Sequence, residues 1–140
     1  MMRFDRFTER AQDAIARSQE ILQRYGHTQL DTEHLLLALV EQPEGLISEI
    51  LTKLDVDIDA LTHRLDELLQ STRSSYPPSG TGPVPTQLFV TPRLNRLIYV
   101  AGEEARRLGD EYVSTEHIFL AILGVGGGAA SILREMGVDK

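Results

Sequence analysis

The chain contains no cysteine among its 140 residues. This absence excludes a disulfide-stapled scaffold and a thiol nucleophile, and it fits a reducing compartment such as the cytoplasm. Long apolar runs are missing too, because the longest one, from Leu35 to Val40, is far shorter than the roughly 18 residues of a membrane span. The sequence therefore predicts a soluble, cytoplasmic protein without a membrane partner.

Positive charge is scarce as well. The sequence has 14 Lys and Arg against 21 Asp and Glu, a formal net charge of -7, and no basic cluster. Binding of nucleic acid by phosphate neutralisation needs a basic face, and binding to a membrane surface needs a basic amphipathic helix. The composition thus argues against nucleic acid as a partner, while a chain of this length can still bury a core unaided.

The sequence contains one pattern twice. Residues Thr8 to Val40 align without a gap with Thr91 to Leu123, and four later positions of each copy align after a one-residue deletion in the second. Two copies are too few for an open solenoid, so we expect them to fold back on each other as a closed pseudo-twofold pair. The predicted organisation is a single domain over 1–140, with repeat one at 1–70, a Ser/Pro/Gly-rich linker at 71–86 and repeat two at 87–140.

Helical periodicity dominates both copies. Thr8 and Thr91 are good N-caps for long amphipathic helices that stop at Gly26 and Gly109. A short helix that is apolar on every side follows in each copy and belongs in the core, where Leu37 and its counterpart Leu120 should be buried alike. Further helices are predicted at 46–54, 58–69 and 129–136.

No alternating strand pattern is present, so the predicted class is all-α, with two pseudo-twofold-related helical repeats and about seven to eight helices. The second copy has no room for its own fourth helix. Either the chain is cut just after Asp139, or that helix is dispensable.

The motif Thr-Glu-His opens the short helix of each copy and is the most tempting candidate site. A metal or acid/base centre would need Glu33, His34, Glu116 and His117 to converge in one cleft. Adjacent helical residues point about 100 degrees apart, and no helical metal motif occurs, so each copy offers at most one convergent ligand. The alternatives are surface recognition by the glutamates, and a structural role.

In the structural interpretation, Asp31 and Ser114 cap the two short helices. Glu33 and Glu116 then lie in the first turn, where the helix dipole favours anions, and the two histidines pack against the core. No nucleotide loop or nucleophile elbow is present. We therefore predict no catalytic residue, no metal site and no cofactor on this chain.

Aromatic and apolar residues precede both long helices at equivalent places. Phe7 and Val90 stand directly before the caps, where hydrophobic staples are found. Phe4 and Phe89 lie slightly apart from the staple positions. We expect these two phenylalanines to border an exposed apolar groove.

Several motifs in their repeat spacing resemble the amino-terminal domain of the Clp family of AAA+ protein unfoldases. They are Phe-Thr-Glu-Arg-Ala at 7–11, Asp-Thr-Glu-His-Leu-Leu-Leu-Ala-Leu at 31–39, Glu-Gly-Leu at 44–46, Thr-Pro-Arg at 91–93 and Glu-Tyr-Val-Ser-Thr-Glu-His at 111–117. The resemblance covers nearly the whole chain and is closest to the ClpB disaggregase or the ClpC branch. The long linker differs from the usual short ClpB form.

The resemblance implies which residues handle substrate. In the ClpB branch the implicated positions fall on Thr8, Asp110 and Glu116, and in the ClpC branch the motif glutamates that read phosphorylated arginine fall on Glu33 and Glu116. Together with Phe4 and Phe89, these residues form the predicted substrate-binding set.

The resemblance also implies a function. The expected role is capture of unfolded or aggregated polypeptide, or of an adaptor protein, for hexameric AAA+ rings that this chain lacks and that alone would bind ATP and magnesium. Two alternatives remain: a free-standing Clp-repeat stress protein, and a small metal or acid/base enzyme.

Overall fold

The computed structural model describes residues 6–71 and 89–138 of the chain, which form seven helices and two very short strands. In chain order they are α1 (Glu9–Arg24), β1 (Gln29–Leu30), α2 (Thr32–Glu41), α3 (Leu46–Lys53), α4 (Ile58–Ser71), β2 (Phe89–Val90), α5 (Pro92–Arg107), α6 (Thr115–Val125) and α7 (Gly128–Glu135). The all-α prediction is confirmed. The predicted linker at 71–86 lies outside the described residues, except for Ser71 at the end of α4.

The two long helices begin and end in the same way. The Thr8 hydroxyl accepts a hydrogen bond from the Ala11 N–H at 3.1 Å, and Thr91 caps α5 through Leu94 at the same distance. Beyond each helix the chain reverses at a glycine with positive φ, +69° at Gly26 and +76° at Gly109, a conformation that a side chain would strain. The predicted caps and stops are confirmed.

The short helices α2 and α6 form the centre of the fold. Leu39 of α2 and Ile122 of α6 have no exposed surface. The long helix α1 packs against α2, α5 packs against α6, and α2 contacts α6. One expectation is wrong: Leu37 is buried, whereas its counterpart Leu120 is only half-buried. The reason is α4, which packs against α2 and has no counterpart over α6 in the described chain.

Two short parallel pairings join the copies across the pseudo-twofold axis. Leu30, just before α2, pairs with Val90, just before α5. The equivalent pair is Phe7 with Val113, where the Thr8 N–H also donates to the Val113 carbonyl at 2.9 Å. Each long helix therefore starts beside the other copy's core helix, and Phe7 is buried where the two copies meet.

Helix α4 distinguishes repeat one from repeat two. It packs against α2 and α7, and Arg64 at its surface forms an ion pair with Glu135 of α7. Repeat two has no such helix up to Val138, the last described residue.

Within the described ranges no single helix is long and apolar enough to cross a membrane. Helices α6 and α7 reach the required length and apolarity only together, as a pair bent by 94°.

The ends of α3 and α7 offer a prediction about stability. Both helices end in the same turn, but the left-handed position is Asp55 (φ 63°) in repeat one and Gly137 (φ 88°) in repeat two. Asp55 is exposed, so Asp55→Gly is expected to raise the free energy of unfolding by about 0.5 to 1 kcal/mol by relieving strain. Urea unfolding measures this, with Gly137→Asp as the reciprocal change; a loss of stability in Asp55→Gly would contradict it.

Candidate functional site

The start of each core helix is held by a capping box in which histidine takes the usual place of glutamate. The Asp31 N–H donates to His34 Nδ1 at 3.0 Å, and the Ser114 N–H donates to His117 Nδ1 at 2.9 Å. Because a backbone N–H is always a donor, Nδ1 is the acceptor in both rings and Nε2 carries the proton. The predicted capping by Asp31 and Ser114 is confirmed, and the histidines are buried as expected.

In repeat one the second ring nitrogen of the capping histidine meets another histidine. His34 Nε2 lies 2.9 Å from His27 Nδ1, and the two rings contact edge to face. Burial, and to a smaller extent the nearby His27 ring, lower the pKa of His34 to about 4. His34 is therefore neutral at physiological pH, so its Nδ1 can accept from the Asp31 N–H while its Nε2–H donates to His27 Nδ1.

In repeat two the same nitrogen meets a carboxylate. His117 Nε2 donates to Asp110 Oδ2 at 2.9 Å, with the His117 side chain 5% exposed and the Asp110 side chain 54% exposed. His27 and Asp110 occupy equivalent places, directly after Gly26 and Gly109. Sequence reasoning did not find this link, although the alignment of His27 with Asp110 was a usable signal.

The two motif glutamates differ in exposure. Glu116 is exposed, whereas Glu33 is half-buried. A Cβ added at Gly128 of α7 would lie 2.9 Å from the Glu33 carboxylate and 2.8 Å from Leu68 of α4, so these groups crowd one spot. Burial raises the pKa of Glu33, and the Asp31 carboxylate raises it further. Of the two, Glu116 is the glutamate that is open to a partner.

Charged groups near Glu33 are tied to one another. Arg93 of α5 forms an ion pair with Asp31 at 3.2 Å, and its side chain lies against Gly127, where an added Cβ would come within 2.7 Å. The hydroxyl of Thr32 also donates to the Glu33 carboxylate at 3.3 Å. This side of the molecule is a closed polar network rather than an open site.

No group of three or more His, Asp or Glu side chains among residues 6–71 and 89–138 could hold an ion. The doubled Glu-His pairs that a metal or acid/base enzyme would need belong to two separate capping networks, with His34 on His27 and His117 on Asp110.

An open groove of about 610 Å³ lies between α5, the residues before α1 and the loop from α5 to α6. Buried Phe7 and Val113, the pair that joins the two copies, contribute apolar surface to it. The exposed carboxylates Asp110 and Glu111 and the half-buried Glu103 also line it. The groove thus brings together an apolar surface and an acidic border.

The predicted site residues are distributed unevenly around this groove. Thr8 adjoins it, because its N–H is bonded to Val113, and Asp110 lines it. Glu116 stands two residues beyond the capping Ser114, whose hydroxyl donates to the Glu116 carboxylate at 3.4 Å. Glu33, Glu116 and Phe89 are not among the lining residues, although Phe89 is 50% exposed on β2. Phe4 lies outside the described residues.

A closed pair of helical repeats, with capped core helices beside an open groove, defines this protein as a helical binding domain without a recognisable catalytic centre among its described residues. Residues 6–138 match the family described as the Clp repeat (R) N-terminal domain. The chain belongs to this family.

Curated relatives come from both branches that the motifs suggested. The chain is 40% identical over 140 residues to the chaperone protein ClpB of Oceanobacillus iheyensis, covering 99% of this chain and 16% of the relative. It is 38% identical, with the same coverage, to the negative regulator of genetic competence ClpC/MecB of Bacillus subtilis. The chain therefore spans about one sixth of the length of these relatives.

Solved structures share the fold. The N-terminal domain of the chaperone ClpD from Arabidopsis thaliana is similar with a TM-score of 0.71 and 26% identity, covering 99% of this chain and 89% of that one. A complex of the ClpV N-domain with a VipB peptide also gives a TM-score of 0.71, at 17% identity and with 95% and 80% coverage. At that identity the second likeness shows the fold alone.

Proposed function

We propose that this domain captures unfolded or aggregated polypeptide, or an adaptor protein, through the groove beside α5. The observation that carries the proposal is the combination of an apolar surface at Phe7, Ile98 and Val113 with the carboxylates of Glu103, Asp110 and Glu111 in one open cavity. Apolar and charged residues line this groove in about equal number, so it can bury an apolar side chain and pair with a charged one beside it. Unfolded polypeptides expose the apolar side chains that such a cavity can bury.

The charged residues that line the groove restrict the kind of polypeptide that it can bind. Three carboxylates and two arginines line the groove, but Arg106 is paired with Glu103 at 2.9 Å. The Asp110 carboxylate accepts a hydrogen bond from His117, which leaves Glu111 as the exposed carboxylate beside Arg6, within a chain of net charge -7. Complementarity of charge favours apolar segments that carry Lys or Arg, and it speeds their encounter more than it tightens the complex. Weak, reversible capture suits a domain that must pass its client on.

The wider context belongs to the proposal as well. Relatives are named as Clp chaperones and regulators, and the ClpV N-domain has been solved with a VipB peptide. We propose that the captured client passes to ATP-driven rings, hexameric in the assembled protein, and that the protein acts in the cytoplasm. Two Walker motifs in the gene downstream of Lys140 would support this arrangement, and a stop codon there would favour a free-standing Clp-repeat protein.

Gly102 provides the sharpest test of the groove. It lies inside α5 and lines the groove, and an added Cβ would meet no atom within 4 Å. Repeat one has Gln19 at the equivalent position. Gly102→Gln is therefore expected to occlude the groove and weaken binding about tenfold, or about 1.4 kcal/mol. Stability should rise by about 0.5 to 1 kcal/mol, because glycine is unfavourable within a helix.

The measurement is titration of a permanently unfolded, mildly basic polypeptide, with melting curves for each variant. Ala16→Gln adds the same side chain to an exposed position of α1 and serves as the matched control, with binding expected at the wild-type level. Unchanged binding in Gly102→Gln would show that clients do not use this groove. A parallel loss in both variants would point to a non-specific effect of the added side chain.

A further inference from the structure

We propose that Asp110 is a positioning residue, which fixes the start of α6 through His117 instead of binding the client by its charge; this inference rests on the proposed function. Asp110 Oδ2 accepts a hydrogen bond from His117 Nε2 at 2.9 Å, and His117 Nδ1 accepts the Ser114 N–H at 2.9 Å. The Ser114 N–H sets the ring tautomer, and the carboxylate fixes the ring in the orientation that caps the helix by accepting the Nε2 proton. Its partner ring is almost fully buried.

Repeat one contains the same link with a different acceptor. There His34 caps α2 through the Asp31 N–H, and its other nitrogen lies 2.9 Å from His27 Nδ1. His27 follows Gly26 as Asp110 follows Gly109, and the backbone N–H of each returns to the preceding long helix, at Leu22 and Ala105. The shared requirement of the position is a hydrogen-bond acceptor, since neither a carboxylate nor a negative charge is present in repeat one.

The link joins the end of α5 to the start of α6. Ser114 follows Val113, whose backbone pairs with Phe7 and Thr8, and it precedes Glu116 in the first turn of α6. If His117 lost its acceptor, the ring would no longer be held in the capping orientation. The first turn of α6 and the adjoining groove wall would then loosen together, so Asp110 can affect binding in the groove without contacting the client.

A series of three substitutions separates positioning from direct contact. Asp110→Ala removes the acceptor, whereas Asp110→Asn and Asp110→His remove the charge but keep an acceptor, the latter being the residue of repeat one. Binding of the unfolded basic polypeptide is expected to fall about fivefold to tenfold, or about 1.0 to 1.4 kcal/mol, in the alanine variant. We expect asparagine and histidine to restore it to within about twofold of wild type. Equal losses in all three variants would assign Asp110 a direct charge contact and overturn the inference.

An NMR measurement decides the question without any client. Nitrogen shifts of His117 should show the Nε2-protonated tautomer in wild type, and the Nε2 proton should be protected from solvent exchange in wild type, Asp110→Asn and Asp110→His but exchange rapidly in Asp110→Ala. Amide exchange at Ser114 and Glu116 should accelerate only in the alanine variant. A wild-type ring without the Nε2-protonated tautomer would overturn the inference. A wild-type domain that binds no polypeptide would overturn the proposed function instead, and the NMR result would then decide alone whether Asp110 positions His117.

Discussion

Leu39→Ala and Ile122→Ala are each expected to lower the free energy of unfolding by about 2 to 5 kcal/mol. The two residues are equivalent in the two copies, lie on the central helices α2 and α6, and have no exposed surface. Truncation therefore removes buried methyl groups and leaves a cavity that the surrounding core can close only in part. Urea unfolding of both variants gives the measurement.

Leu120→Ala is the matched comparison for this pair. Because Leu120 is only half-buried, part of its side chain is already in contact with water, and we expect a smaller loss than for Ile122→Ala two residues further along the same helix. Losses of equal size would show that α6 is covered as completely as α2. A neutral Leu39→Ala or Ile122→Ala would contradict the shared core.

Acid is expected to remove about 3 kcal/mol of stability through His34 as the pH falls from about 6.5 to about 4. The pKa of His34 in the folded protein is lowered from 6.5 to about 4, first by burial and then by His27. The unfolded chain therefore takes up the proton first, and stability falls with pH until both states are protonated. The free energy of unfolding in urea, measured from pH 7 to pH 4, tests this.

His27→Asp isolates the contribution of His34. It places in repeat one the carboxylate that repeat two uses, Asp110 on His117, so the pKa of His34 should rise and the acid loss should shrink. Burial raises the pKa of Glu33, which works in the opposite direction, because the folded state then takes up that proton first. That contribution is common to both proteins and largely cancels in their difference. Identical pH profiles would show that the acid loss does not come from the His27–His34 pair.

Much of the fold follows from local sequence signals. The caps at Thr8 and Thr91 and the left-handed glycines Gly26 and Gly109 fix the ends of the long helices. The apolar run in α2 marks it as central, as the burial of its residues confirms. These signals are readable because capping, positive φ and all-round apolarity are each set by residues within one element.

The pairings between the copies could not be predicted from local sequence signals. Strands of two residues are too short to show an alternating pattern, so neither β1 with β2 nor Phe7 with Val113 could be predicted from periodicity. The unequal burial of Leu37 and Leu120 depends on α4, a helix distant in sequence from both. Contacts of this kind are properties of packing, not of the local sequence.

The candidate site was predictable only in part. The motif located Glu33, Glu116 and the two histidines, and the resemblance added Thr8 and Asp110. Sequence alone did not place the groove at Gly102, because a helix-interior glycine is informative only when the space around it is known. The roles predicted for these residues in substrate binding stay predictions.

Because the pairings between the two copies are reciprocal, this domain resembles a two-fold symmetric dimer whose subunits are joined in one chain. The segment before the long helix of each half pairs with the segment before the core helix of the other half, as equivalent surfaces do across an isologous interface. A covalent connection then supplies only proximity, so the halves are expected to remain associated after a cut between residues 71 and 89. Duplication also permits division of labour: with the shared interface preserved, glycine at 102 can open a groove on one half while glutamine at 19 occupies the matching place on the other.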